Sequence, residues 1–364
     1  MADAAEKLDP SGLADGALLD DWRRFAELRG NPFSTPEWFA SWLAVHPAEE
    51  PFAIAWRRDG ELRGVLPLVR SGRRPLRTLR PAGARRADWF TPACAAEEES
   101  EMAAACADLL REERRSWELL RLDRVDDSSV WPQALWAAEG SRLAPATPRR
   151  ADVLPCIRFE EGGYEAYLAT RSRNFRSQMG RRRRKLEREH GLEFRQTTGP
   201  DSLEGDMDAF FRLHEERWRD RGGSSSGEEA VQRFHRRFAA AALKRGWLRL
   251  WTAWVDGQPG AAWYGWRIGD RYCYALSGLA KRYEPLALGS VLLAQTIESA
   301  AAEGASVYDM MWGDEGYKRR FETDRRTAST WVVGRRGTAP GLGSALRTSV
   351  ERRARAMKRR GRDG

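Results

Sequence analysis

The chain has 364 residues, 41% of them hydrophobic and 32% charged, which is ample for a packed core and long enough for two domains of about 150 residues each. Its 62 Lys and Arg against 53 Asp and Glu leave a net charge of +9, which suits anionic partners such as phosphates, nucleic acid or a membrane surface, and equally suits an arginine-rich composition without a binding role. No run of 18 apolar residues occurs, Cys94, Cys106, Cys156 and Cys273 form no CxxC, and the four His form no HExxH, so a membrane-spanning helix and a metal site are not expected and a soluble, reducing, cytoplasmic setting is.

In chain order, residues 8–45 predict two helices, one carrying Leu13, Leu18, Trp22, Phe25 and Leu28, the next Trp38, Phe39, Trp42 and Leu43. Thr35 and Pro36 read as cap and first residue of the second helix. Residues 52–58 and 61–69 predict strands joined at Asp59-Gly60, a strong hairpin signal. A loop-rich stretch over 71–96 is followed by a helix over 102–113 and a strand over 117–125. After a linker near 145–158 a similar plan returns. Helices are predicted over 164–189, 204–220 and 228–245, then strands over 247–255 and 260–268 meeting at Asp256-Gly257, and a third strand over 271–279. A buried helix over 288–303 and a short strand over 306–311 follow, then a strand over 327–333 and a basic tail. The expectation is a mixed α/β fold of two similar halves, each a twisted sheet flanked by helices.

Between Arg171 and Glu189 nine basic residues stand against two acidic ones, with Tyr164, Leu168, Phe175, Met179 and Leu186 on one narrow apolar face. This helix is either an anion-binding surface, for cofactor phosphates or RNA, or a solvated face. Gly289 and Ser290 open the buried helix, where amides and helix dipole favour a phosphate, although a turn glycine reads the same way. Neither GxGxxG nor GxxxxGK[ST] occurs, which argues against Rossmann dehydrogenases and P-loop hydrolases. Asp309, Asp314 and Glu315 are carboxylates suited to take a proton from an amine. Tyr272, Tyr274 and Tyr317 are phenols suited to return one to a leaving group, and Lys318 is suited to polarise a carbonyl. Each also has an ordinary reading as cap, strand residue or solvated turn. Asp309, inside a buried strand, calls for function or a deliberate ion pair. His214, in HEERW, lacks a second His at i+4 and reads as a helix-surface or core residue.

The order of Asp256-Gly257 hairpin, strand, glycine-led helix, strand with Asp309 and then GDEGYKRRF resembles the GNAT acyltransferases. NFRSQMGRRRRKLEREHGLEF with MWGDEGYKRRFETD is similar to the CelD-like, cellulose-biosynthesis branch, itself related to the FemABX aminoacyl transferases of two GNAT-like halves. The resemblance implies a degenerate GNAT-like half over 1–157, a catalytic half over 158–335 and a basic tail over 336–364. It implies direct attack of an amine on an acyl-CoA thioester, acetyl-CoA above all, with no metal. On this likeness Ser277, Gly278 and Leu279 lie in the strand whose amides hold the acyl carbonyl, Gly289 and Ser290 meet the pyrophosphate, and Lys281 and Arg282 meet the remaining phosphate. Asp309, Asp314, Glu315 and Lys318 are expected on the acceptor side, and Tyr274 is a catalytic candidate for returning a proton to the leaving group. The family's motif (Gln/Arg)-x-x-Gly-x-(Gly/Ala) is met only in part by the segment from Leu286 to Val291, which leaves room for an aminoacyl-tRNA donor. A catalytically silent module of an envelope polysaccharide machinery is the third reading. The acceptor is expected to be a small-molecule or cell-envelope precursor amine. Leu342, Leu346, Val350 and Met357 in the basic tail predict an amphipathic helix suited to the inner membrane face.

Overall fold

The structure, a computed structural model, describes residues 4–9, 11–139, 149–219, 228–339 and residue 343. In chain order its first elements are β1 (Ala4–Lys7), α1 (Gly16–Leu28), α2 (Pro36–Val45), β2 (Glu50–Arg58), β3 (Glu61–Ser71), β4 (Thr78–Pro81), β5 (Ala93–Cys94), α3 (Glu99–Glu112), β6 (Leu119–Asp126) and α4 (Trp131–Glu139). Then come β7 (Arg149–Arg158), α5 (Gly163–Ala169), α6 (Arg173–His190), β8 (Glu193–Gln196), α7 (Pro200–Trp218), α8 (Glu229–Lys244), β9 (Leu248–Val255), β10 (Gln258–Ile268), β11 (Arg271–Leu279), α9 (Leu288–Ala302), β12 (Val307–Asp309) and β13 (Asp324–Gly334). The chain forms two compact units, Met1–Asp152 with Thr327–Gly364, and Val153–Arg326.

Local chemistry accounts for many of these boundaries. Thr35 accepts a hydrogen bond from the Trp38 amide at 3.1 Å and Pro36 opens α2, as the sequence predicts. Asp59 and Gly60, and likewise Asp256 and Gly257, all take positive φ, the conformation that a two-residue hairpin matched to strand twist requires. In the first unit the strands run in the order β1-β2-β3-β4-β6-β13, and β5 pairs with β3. In the second the order is β7-β12-β11-β10-β9-β8. Each sheet is mixed in the same way. The β2–β3 hairpin leads to β4, and α3 crosses over to a parallel β6; the β9–β10 hairpin leads to β11, and α9 crosses over to a parallel β12.

The core of the second unit is aromatic. Tyr272 stacks on Tyr308 with ring centroids 5.6 Å apart, and Trp263 stacks on Tyr274 at 5.4 Å. Tyr272, one of the predicted phenol candidates, is thereby a core residue whose hydroxyl accepts from Trp251 at 3.0 Å.

Several expectations change. Arg149–Arg158, inside the stretch read as linker, is a strand, and residues 145–148 lie outside the described residues. The single predicted helix over 164–189 is two, because Ser172 accepts from the Phe175 amide at 3.2 Å and starts α6 afresh. Of the apolar face predicted across that break, Tyr164, Leu168, Phe175 and Met179 line, with Val291, Ala294 and Phe321, a cavity of about 230 Å³, while Leu186 is buried outside its lining. β1, β8 and α4 had no counterpart in the sequence reading. The amphipathic helix expected at Leu342, Leu346, Val350 and Met357 lies outside the described residues. No described helix is long and apolar enough to cross a membrane.

Candidate functional site

The site begins with an irregularity in β11. Along the β10–β11 pair Tyr264 faces Leu276 and Gly265 faces Tyr274, so Ala275 is an extra residue and the strand bulges there. Gly265 makes this geometry feasible, since a Cβ on it would lie 1.9 Å from the Cys273 carbonyl oxygen. On its other edge β11 pairs with β12 only from Arg271 to Cys273. From Tyr274 onward, therefore, no described strand closes that edge, and the two parallel strands part where the bulge turns the chain.

Helix α7 presses against the parted segment. A Cβ on Gly278 would meet the His214 amide nitrogen and the Leu213 Cβ at 2.6 Å, so only glycine lets the helix backbone come this close. His214, buried, donates from Nδ1 to the Ser277 carbonyl at 2.8 Å, and burial holds its pKa below the ordinary 6.5. One turn on, Arg217 donates to the Ser277 hydroxyl and lies over the Tyr317 ring at 5.8 Å. Tyr274 donates its phenolic proton to the same Ser277 Oγ at 2.6 Å, and the Tyr274 and Tyr317 hydroxyls stand 3.3 Å apart. With Tyr274's proton committed to Ser277, Tyr317 is the donor in that pair. Burial, and then the neighbouring Tyr274, push the Tyr317 phenol well above its ordinary range, so it keeps its proton at neutral pH.

Arg217, Tyr274, Ser277 and Tyr317 share a cleft of about 250 Å³ with Gly278, Leu279, Ala287, Gly289 and Ser290. Ala287, the residue before α9, has φ of +54° and gives no side-chain cap. Ser290 and Val291 donate to the Ala287 carbonyl, whereas the amides of Leu288 and Gly289 have no acceptor among the described residues. A Cβ on Gly289 would touch only Leu279, at 3.7 Å, so the glycine leaves room on the cleft side.

The sequence-predicted site residues thus fall into two groups. Tyr274, Ser277, Gly278, Leu279, Gly289, Ser290 and Tyr317 line the cleft; the others stand outside its lining. Asp309 is fully enclosed, its carboxylate shared by Arg271 at 3.2 Å and by Arg326, with the Met311 amide donating at 2.9 Å. Asp314 is held ionised and outside the core by Arg319. Lys318 is buried and ties the loop before it, with Nζ 3.0 Å from Glu315 and 2.8 Å from the Trp312 carbonyl. Lys281 and Arg282 are exposed on the turn after β11; the Lys281 amide donates to Glu216 at 2.8 Å. Arg217 was absent from the sequence reading. Its signal was the 3-4-3 spacing of Met207, Phe210, His214 and Arg217, which extends the buried stripe of α7 into a charge.

Residues 173–319 match the acetyltransferase (GNAT) domain model. That span contains every residue lining the cleft. No curated protein matches the sequence. Among solved structures, FemX is similar with a TM-score of 0.62 at 11% identity, over 90% of this chain and 96% of that one. The structure of L-PGS from Bacillus licheniformis gives 0.56 at 12%, over 94% and 96%. The C-terminal domain (DUF2156) of a putative lysylphosphatidylglycerol synthetase from Agrobacterium fabrum gives 0.55 at 9%, over 89% and 94%. At such identities the likeness is one of fold. The fold is a mixed α/β arrangement of two GNAT-like halves.

Proposed function

We propose that the chain is an N-acyltransferase of the CelD-like branch, moving an acyl group, acetyl in the simplest case, from acyl-CoA to the amine of a small molecule or cell-envelope precursor. The observation that supports this most is the union, in one cleft, of a bulged strand edge, two coupled phenols and an uncapped helix N-terminus. Acyl-CoA supplies the activated thioester. The α9 terminus fits its pyrophosphate, because the Leu288 and Gly289 amides lack acceptors and Gly289 leaves space for the anion. In this reading Ser277, Gly278 and Leu279 hold the acyl carbonyl beyond the bulge, and Ser290 and the exposed Lys281 and Arg282 serve the phosphates. Tyr317 returns a proton to the leaving group, with Tyr274 as its hydrogen-bond acceptor; positioned proton transfer contributes about 10² to 10⁴ in rate. Asp314 and Glu315 flank the Tyr317 loop on the acceptor side, Lys318 fixes that loop, and Asp309 anchors β12 through its two arginines.

Isothermal titration with acetyl-CoA and longer acyl-CoAs tests the donor. Saturable binding is expected, and the absence of binding by any of them at millimolar concentration overturns the reading. A second reading, aminoacyl-tRNA as donor, is favoured by α6, which exposes Arg173, Arg176, Arg181, Arg184, Lys185 and Arg188. Salt-sensitive tRNA binding without acyl-CoA binding selects it.

A further inference from the structure

Resting on the acyltransferase reading, we propose that Arg217 binds a carboxylate carried by the acceptor, so that the acceptor is an amino acid, free or as the end of a peptide, and not an amino sugar. The guanidinium lines the cleft and is partly buried, yet among the described residues no carboxylate forms an ion pair with it. Its contacts are the Ser277 hydroxyl, the phenols of Tyr274 and Tyr317, and the ring of Trp218. Arginine keeps its charge at any working pH. Tyr317 is a neutral phenol there and brings no counter-charge. Glu284, exposed, is the single carboxylate among the lining residues, and the amide end of α9 adds positive potential.

A guanidinium drawn out of water without a counter-ion is costly, and that cost is removed when a ligand brings the anion. The surroundings describe that ligand. A guanidinium fork beside the Ser277 hydroxyl, which accepts from Arg217 and Tyr274 and keeps its own proton to donate, suits a planar carboxylate, which accepts bidentate bonds from arginine and a further bond from a hydroxyl. No partner of Arg217 among the described residues lies on α9, so the acid group is held apart from the amides assigned to the donor's phosphates. The cluster straddles the bulge of β11, with Tyr274 before Ala275 and Ser277 after it, beside the segment that holds the acyl carbonyl in the reading above.

The test measures thiol release from acetyl-CoA by the full chain with a panel of amino acids, each paired with its carboxamide. Acids are expected to exceed amides by at least about tenfold in kcat/KM, the worth of a hydrogen bond to a charged group. Arg217→Gln is expected to abolish that ratio through KM while acetyl-CoA affinity stays unchanged. Equal use of acids and amides overturns the proposal. So does an Arg217→Gln protein that loses acetyl-CoA affinity and keeps the ratio, because the guanidinium then serves the donor, and so does a panel in which no amino acid is bound or acylated. If acetyl-CoA itself does not bind, the acyltransferase reading fails, and direct titration of acids against amides still decides the role of Arg217. If Arg217→Gln does not fold, Arg217→Lys and the acid-to-amide ratio of the parent protein decide it.

Discussion

Asp309 marks the difference between a residue's chemistry and its placement. Its position in a buried strand demanded a function or an ion pair, and the geometry supplies the pair: two arginines and one backbone amide meet a side chain with no exposed surface. Removing one partner from such a group leaves buried charge uncompensated. Asp309→Asn keeps the shape and deletes the charge, and is expected to lower the unfolding free energy by about 3 kcal/mol, read from urea denaturation. A variant as stable as the parent would remove the anchoring role. Tyr274 and Tyr317 illustrate the converse, since each had an ordinary reading by itself and they gain chemical meaning only as a hydrogen-bonded pair. Arg217 and Ser277 are 60 positions apart, and no local pattern joins them.

At the scale of elements, the hairpins, α2 and α9 were legible because their signals are local: Asp-Gly turns, a Thr-Pro start, helical spacing of apolar residues. β7, with its Arg and Pro content, and β8, with charged alternate positions, carry no such signal and become strands because neighbours offer them backbone partners. The bulge in β11 was equally invisible, since its cause, Gly265 facing the Cys273 carbonyl, lies on the next strand. The joint between α7 and β11 has its own pH signature. Burial holds the His214 pKa below 6.5, so the unfolded chain binds the extra proton. The stability from neutral His214 is therefore complete above about pH 6.5 and is lost as the pH falls below it. The urea midpoint is expected to drop between neutral and mildly acidic pH, and His214→Asn, which can still donate to the Ser277 carbonyl, is expected to flatten that slope. An unchanged slope in the variant would assign it to other groups.

For the whole molecule, the four cysteines report on packing. Cys94, Cys106, Cys156 and Cys273 are all buried, and none is in a disulfide. Burial raises the thiols, to about 12 for Cys94 and about 11 for Cys156, so little thiolate exists at neutral pH. A thiol reagent is expected to label none of the four in the native protein and all four in denaturant. Labelling under native conditions would reveal opening of one of the units. Their spacing in the sequence predicted unpaired thiols, but their inertness follows from the strands and helices closed around them.

The sequence by itself determined the strong local periodicities: the two Asp-Gly hairpins, the capped and apolar-spaced helices, two α/β halves of one plan, and a glycine-led helix followed by a short strand and a loop rich in acids, phenols and bases. These are properties of neighbours along the chain, where turn chemistry and side-chain spacing act. Tertiary structure decided which of the candidate residues meet. It set Tyr274, Ser277 and Tyr317 beside an arginine that the sequence reading had passed over, enclosed Asp309 between two others, and opened the edge of β11 by pairing β12 with only its first three residues. The reason is physical: hydrogen bonds and charges act over a few ångströms, and the partners that satisfy them are brought within that range only when the sheet and its helices pack.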